Sequence, residues 1–158
     1  MNAFNKTIKK SAIPYLVAVF LIAVDRYLKV LSQNLETDSV SLVKNFSFTH
    51  AANSAAAFSL PINQIFLIGL IVVIITVFGW SYYRSVKAGL AEWPLVWIVL
   101  GAVSNLFDRF AYGGVLDYLA VEYFTVFNLA DVMICSAVAI LIFGKLKSNR
   151  ANALRIKN

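Results

Sequence analysis

One cysteine and one histidine are the chain's whole supply of the two side chains most used in metal sites and nucleophilic triads. Cys135 alone can form no intramolecular disulfide, and it reads as a small buried hydrophobe inside an apolar run. A zinc site needs three or four ligands, which His50 as the sole imidazole does not supply, and a serine triad would need that same histidine beside a serine. The seven glycines form no phosphate-cradling loop. Charge is scarce as well: 14% of the residues are Asp, Glu, Lys or Arg, 60% are hydrophobic, and the mean hydropathy is +0.75. That is more apolar surface than one small water-soluble core can bury, so the 158 residues read as a single integral membrane domain with no metal or cofactor.

Four stretches have the length of a membrane span, about 20 predominantly apolar residues. They cover 11–31, 62–83, 93–110 and 124–143, and the second is the cleanest, interrupted between Ile65 and Phe78 only by Gly69 and Thr76. The first has the basic start of a secretory signal, but Asp25, Arg26 and Lys29 follow where a small-residue cleavage site would lie, so it is expected to stay attached. The expected fold class is an all-α membrane protein of four transmembrane helices, with a small extracytoplasmic β-sheet between helices 1 and 2.

An even number of spans puts both termini on one side. That side carries ten of the fourteen basic residues against a single acid, Glu92, so the positive-inside rule makes it cytoplasmic. The other seven acids face outward. A net charge of +6 invites thoughts of nucleic acid, but the basic residues flank spans in short clusters with no soluble domain around them. Membrane lipid headgroups are the expected partner instead, with the protein a monomer.

The longest segment outside the spans is 32–61. Val40, Leu42, Phe46 and Phe48 keep the period-2 alternation of a half-buried strand, with Ser41, Ser47 and Thr49 on the other face. It ends in Ala51-Ala52-Asn53-Ser54-Ala55-Ala56-Ala57-Phe58, which reads either as a run of small side chains allowing close backbone approach or as an alanine-rich helix start. Between spans three and four, Tyr112-Gly113-Gly114 signals a turn, and Val115 to Thr125 reads as a mixed segment returning to the membrane.

The polar residues inside this apolar frame are few and patterned. Asp25 and Lys29 stand at i and i+4, which reads either as an intrahelical pair or as a lysine reaching a lipid headgroup. Asn105, Asp108 and Arg109 occupy one face at the outer end of span three, where such residues join helices and an arginine can grip a carboxylate. Asn128 and Asp131 repeat the i, i+3 spacing near the start of span four, and Asp117 lies in the preceding loop or re-entrant segment. Two carboxyls brought together cannot both ionise easily and hold one proton between them, the condition for one to activate water while the other protonates a carbonyl or a leaving amine. A structural polar cluster and a proton relay use the same residues, so both stay open at this point.

The arrangement resembles the bacterial lipoprotein signal peptidases, or signal peptidase II, over nearly the whole chain. Asp25 and Lys29 match that family's Asp-x-x-x-Lys, and Asn53 with Ala57-Phe58 matches its Asn-x-Gly-x-Ala-Phe. Gly101, Asn105, Asp108 and Arg109 match Gly-x-x-x-Asn-x-x-Asp-Arg. Asp117 in Val115-Leu116-Asp117-Tyr118 matches the first catalytic aspartate, usually in Val-Val-Asp-Phe, and Asp131 in Phe127-Asn128-Leu129-Ala130-Asp131 matches the second. The resemblance implies an aspartyl endopeptidase of the bacterial inner membrane, multi-pass, with its active site on the extracytoplasmic side. Its substrates would be prolipoproteins, cut just before a diacylglyceryl-modified cysteine. Asp117 and Asp131 would be catalytic, with Asn53, Asn105, Arg109, Asn128, Asp25, Lys29, Asp108 and Ala130 binding or orienting the substrate. Ala55, Leu100 and Ser104 stand where the family has glycine, and Arg26 where it has glutamine. A relative that binds lipidated peptides without cutting them, and a small proton or ion pathway, are the alternatives.

Overall fold

The computed structural model describes residues 12–35, 39–54, 63–90 and 92–156, the last six by backbone alone. The described residues form four long helices and four strands, in the order helix, hairpin, two helices, hairpin, helix: α1 Ile13–Gln33, β1 Ser39–Val43, β2 Phe46–Asn53, α2 Gln64–Lys87, α3 Trp93–Tyr112, β3 Val115–Val121, β4 Thr125–Phe127 and α4 Leu129–Ile156. Prolines open α1 and α3 in the first turn, where a missing N–H is harmless. Asn63 caps α2 by accepting from the Ile65 amide at 2.8 Å, and Gly113, at φ +75°, ends α3 in the left-handed conformation.

Three helical stretches, Gln64–Lys87, Trp93–Tyr112 and Leu129–Arg150, are long and apolar enough to cross a membrane. Helix α1 has the length, at 21 residues, but carries Asp25, Arg26 and Lys29 in its second half. These charges turn inward: Asp25 and Lys29 are fully buried. Helix α3 is the centre of the bundle and packs against α1, α2 and α4, whereas α2 rests mainly on α3 and leaves Ile65, Phe66, Val73 and Trp80 exposed on its surface. Cys135 is exposed on α4, contrary to the expected buried position; Met133 and Ala137, two residues to either side, face the core.

The sheet is larger than the sequence implies, and it is assembled from two of the three interhelical segments. Its strands run antiparallel in the order β1-β2-β3-β4. The alternation from Val40 to Thr49 is a hairpin, with Asn45 at φ 68° in its turn and Val40 opposite Phe48. Val115 to Val121, expected as a mixed segment, is an inner strand pairing with β2 from Phe46 to Asn53 and with β4 from Thr125 to Phe127. For the same reason the fourth helix starts at Leu129, not Phe124: residues 125–127 are taken by the sheet. Ala51 to Asn53 belong to β2, which settles that part of the alanine run as strand, while Ala55 to Phe58 lie outside the described residues. Between Phe48 and Ala51 a β-bulge places Thr49 and His50 together opposite Tyr118 alone, a device that bends the strand and re-aims its side chains.

Gly101 is where α3 and α4 come closest. A Cβ there would lie 2.8 Å from both the Ala130 carbonyl oxygen and Ile134 Cγ1, so only glycine lets the first turn of α4 sit this near. Gly79 and Gly144, by contrast, have open space where a Cβ would sit, with nothing within 4 Å. Gly101→Ala is therefore expected to destabilise by about 1–3 kcal/mol through overpacking, while Gly79→Ala is expected to be neutral or slightly stabilising. Thermal unfolding of the two variants in one detergent checks the contrast.

Candidate active site

The polar centre lies where the helix bundle meets the sheet. Asp25 accepts four hydrogen bonds or ion contacts. Its Oδ2 pairs with Lys29 Nζ at 3.0 Å and accepts from Ser104 Oγ at 2.7 Å, and its Oδ1 accepts from the Tyr118 hydroxyl at 3.1 Å and the Ala130 amide at 3.2 Å. Lys29 also meets Asp108 Oδ2 at 2.7 Å and donates to Asn105 Oδ1 at 3.0 Å. Arg26 holds the other oxygen of Asp108, and the Leu116 amide reaches Asp108 Oδ2 at 3.3 Å. Lys29 thus points into the bundle, fully buried among these partners. Of the two readings of Asp25 and Lys29, the intrahelical pair is the one formed.

This cluster positions the start of α4. The first N–H groups of a helix have no partner within it, and here each of the first three is satisfied by a side chain. Leu129 N–H donates to the Tyr118 hydroxyl at 3.0 Å, Ala130 N–H to Asp25, and Asp131 N–H to Asn128 Oδ1 at 3.0 Å. Asp131 Oδ2 in turn accepts from the Asn128 amide at 3.3 Å, making the reciprocal pattern of a capping box with Asn and Asp in the two roles.

Asn128 also faces the other acid. Its Nδ2 donates to Asp117 Oδ1 at 2.7 Å, and Asn53 Nδ2 donates to Asp117 Oδ2 at 3.3 Å. Asn105 Nδ2 donates to Asp131 Oδ1 at 2.7 Å. One asparagine side chain therefore touches both aspartates, and each aspartate has a second asparagine of its own. Arg109 is buried within electrostatic reach of Asp117, Asp131 and Asp108, and its carbonyl accepts from Gln64 Nε2 at 3.2 Å. All ten site residues expected from the sequence converge on this one region.

Burial first and the charge of Asp131 second push the Asp117 carboxyl from its ordinary 3.8 up to about 6, against the opposing pull of Asn128, Asn53 and Lys29. The Tyr118 phenol is also raised, by burial and then by the charge of Asp25, and stays protonated as a donor.

Sequence reasoning missed Tyr118, Ser104 and Arg26 as members of the cluster. The signal was present, since each departs from the pattern of the family the chain resembles, but only the fold shows that all three departures add bonds to Asp25 or Asp108. His50 does have a serine beside it, Ser32, with Oγ 3.3 Å from Nδ1. Ser32 gives its proton to the Lys29 carbonyl at 2.8 Å, so the pair fastens β2 to α1 and is not a nucleophile with its base. Among the described residues no group of three or more His, Cys, Asp and Glu side chains converges to hold a metal ion.

Apolar helices enclosing a buried polar core, with one asparagine side chain that binds the Asp117 carboxyl and caps the helix carrying Asp131, define a membrane protein organised around an acid pair. The sequence model of signal peptidase (SPase) II matches residues 17–147, and the chain belongs to that family, a family of membrane peptidases. Similar relatives include the lipoprotein signal peptidase of Halothermothrix orenii, 33% identical over 132 residues covering 81% of this chain and 91% of that one. That of Pseudoalteromonas translucida is 34% identical over 154 residues, covering 88% and 92%. That of Yersinia pestis is 34% identical over 164 residues, covering 95% and 97%. In fold, the chain is similar to a bacterial membrane enzyme solved by the in meso method at 2.3 Å, with TM-score 0.76 and 21% identity, covering 89% of this chain and 91% of that one.

Two outcomes follow from the site's electrostatics. Lys29→Met leaves Asp25 and Asp108 buried without their shared cation and is expected to destabilise by about 3–5 kcal/mol, read as a large fall in Tm. Asp117 binds a proton more tightly folded than unfolded, so its contribution to stability is full below pH 3.8 and is lost as pH rises to about 6. The Tm is expected to fall across that window and level off above it, and Asp117→Asn is expected to flatten this slope.

Proposed function

We propose that the protein is an aspartyl endopeptidase that removes the signal peptide of prolipoproteins just before a diacylglyceryl-modified cysteine, with Asp117 and Asp131 as its catalytic pair. The observation that carries this reading is the double contact of Asn128, which holds one aspartate through its amide nitrogen and caps the helix that presents the other. A pair so fixed holds one proton, and water placed between the carboxyls and a scissile carbonyl meets a base on one side and an acid on the other. The amides at the α4 N-terminus, a common source of oxyanion donors, already have acceptors, so polarising the carbonyl falls to the proton of the pair.

The remaining residues orient. Asn53 and Asn105 each fix one aspartate, Arg109 supplies positive charge beside both, and Asp25, Lys29, Asp108 and Ala130 hold α3 and α4 at the distance the pair requires. The chain lies in the bacterial inner membrane as one domain, with α1 spanning it alongside the other three helices and both termini cytoplasmic, because its basic residues gather on that side. The acid pair then faces the extracytoplasmic leaflet, where the sheet rests and the lipid headgroup of a monomeric enzyme's substrate would lie. Charges that would bar α1 from lipid are met by partners inside the bundle, which makes its insertion possible.

A gel-shift assay with purified protein in detergent tests this reading. Cleavage of the diacylglyceryl-modified prolipoprotein but not of the unmodified precursor is expected, with activity lost by at least about 10³-fold in both Asp117→Asn and Asp131→Asn. Binding of the lipidated precursor without product by folded wild-type protein would assign the chain to binding rather than hydrolysis.

A further inference from the structure

The bond between Asn53 and Asp117 depends on a residue that carries no side chain. Resting on the assignment of Asp117 as one of the reactive pair, we propose that Gly114 is a positioning residue for the reaction: it lets the end of β2 lie against β3 closely enough for Asn53 to hold the Asp117 carboxyl.

Gly113 and Gly114 follow each other, and each is glycine for a different reason. Gly113 is exposed, sits at φ +75° and has nothing within 4 Å of where a Cβ would be, so backbone conformation alone accounts for it. Gly114 is buried and lies outside the left-handed region. A Cβ there would lie 3.0 Å from the Asn53 carbonyl carbon, 3.0 Å from the Asn53 carbonyl oxygen and 3.0 Å from the Ser54 nitrogen. These three atoms form one peptide group, which cannot turn aside as the end of a flexible side chain can. Carbon atoms in ordinary contact stand about 3.5–4.0 Å apart, so a methyl at 114 must push the Asn53–Ser54 peptide back by about 0.5 Å.

The push falls on Asn53. It is the last residue of β2, opposite Val115, and Ala52 and Ala51 before it are paired with Leu116 and Asp117. The ladder holds those two alanines, so the displacement carries Asn53 off the strand that bears Asp117. Asn53 Nδ2 meets Asp117 Oδ2 at 3.3 Å, already at the long end for an N–H···O bond. A further displacement of that size breaks it. The other asparagine donor to Asp117, Asn128 Nδ2 at 2.7 Å, comes from the junction of β4 and α4 and keeps its place. So do the charged groups facing Asp117, which lie on the helices: Asp131 on α4, Arg109 on α3 and Lys29 on α1.

Loss of the Asn53 bond alone has a signature in pH. Both asparagine bonds favour the ionised carboxyl, so without one of them the Asp117 carboxyl rises further above its ordinary value. The stability that its proton contributes then persists to higher pH, and the fall in Tm ends above about 6 instead of at it.

Gly114→Ala, Asn53→Ala and the double variant of the full-length protein test the proposal beside Gly79→Ala, the same substitution in open space, which is expected to match wild type. Gly114→Ala is expected to keep wild-type helical content, to lower cleavage of the lipidated precursor by about 10-fold, and to move the upper end of the Tm window up in pH as Asn53→Ala does. The double variant is expected to cleave no more slowly than Asn53→Ala alone, because the methyl then has no bond left to break. Wild-type cleavage by Gly114→Ala, losses that multiply in the double variant, or an unmoved Tm window would each overturn the proposal. Loss of helical content in Gly114→Ala would overturn it as well, since the close approach would then hold the fold and not one side chain. If the wild-type protein cuts no lipidated precursor, the peptidase reading fails, and the Tm window alone decides whether Gly114 sets Asn53 against Asp117.

Discussion

A carboxylate with no exposure to solvent destabilises a fold by several kcal/mol unless its lone pairs are met, and Asp25 is such a group. Its partners come from four of the elements that build the site: Lys29 on α1 itself, Ser104 on α3, Tyr118 on β3 and Ala130 on α4. None of these bonds can be kept while its element moves away. The requirement to satisfy one buried charge therefore fixes the relative positions of three helices and the inner strand. It also explains how a helix carrying three charged residues can take its place in an apolar bundle.

The acid pair inherits its geometry from this anchor. Asp117 and Tyr118 are consecutive on β3, and they hold consecutive residues at the start of α4, Asp117 through the Asn128 side chain and Tyr118 through the Leu129 amide. The strand and the helix are thus joined twice within one turn, and Gly101 lets α3 come close enough for Asn105 to reach Asp131. Preorganisation of this kind, with each carboxyl held by a neighbour that is itself held, is what keeps a site within the tolerance that acid–base chemistry needs. Ser104 and Arg26, which depart from the family's usual residues, add a bond to Asp25 and an ion pair to Asp108 and leave the pair itself untouched.

Much of this was legible in the sequence because membrane helices announce themselves by length and because polar residues within them are rare. The four helices, the pairing of Asp25 with Lys29 and the convergence of Asn105, Asn128 and the aspartates all follow from spacing on a helix face or from the family motifs. The sheet was legible only in part. The Val40 to Phe48 alternation signals a strand, but a tight turn at Asn45 looks the same in one dimension as an uninterrupted run. Val115 to Val121 is nearly as apolar as a span, and strand and re-entrant segment differ only in whether a partner strand lies beside them. That partner, β2, is more than 60 residues away in sequence. Tyr118 was illegible as an anchor for the same reason: its hydroxyl matters only because a helix start and a buried acid from two other segments meet there.

The claim on which the rest stands is that Asp25 holds the start of α4 in place for the acid pair. Hydrogen exchange of the Leu129, Ala130 and Asp131 amides in Asp25→Asn, measured beside cleavage in a preparation that keeps wild-type helical content, tests it most directly. The expected result is faster exchange at those three amides and activity lower by at least about 10-fold, although Asp117 and Asp131 are both present. Wild-type exchange together with wild-type cleavage would contradict it.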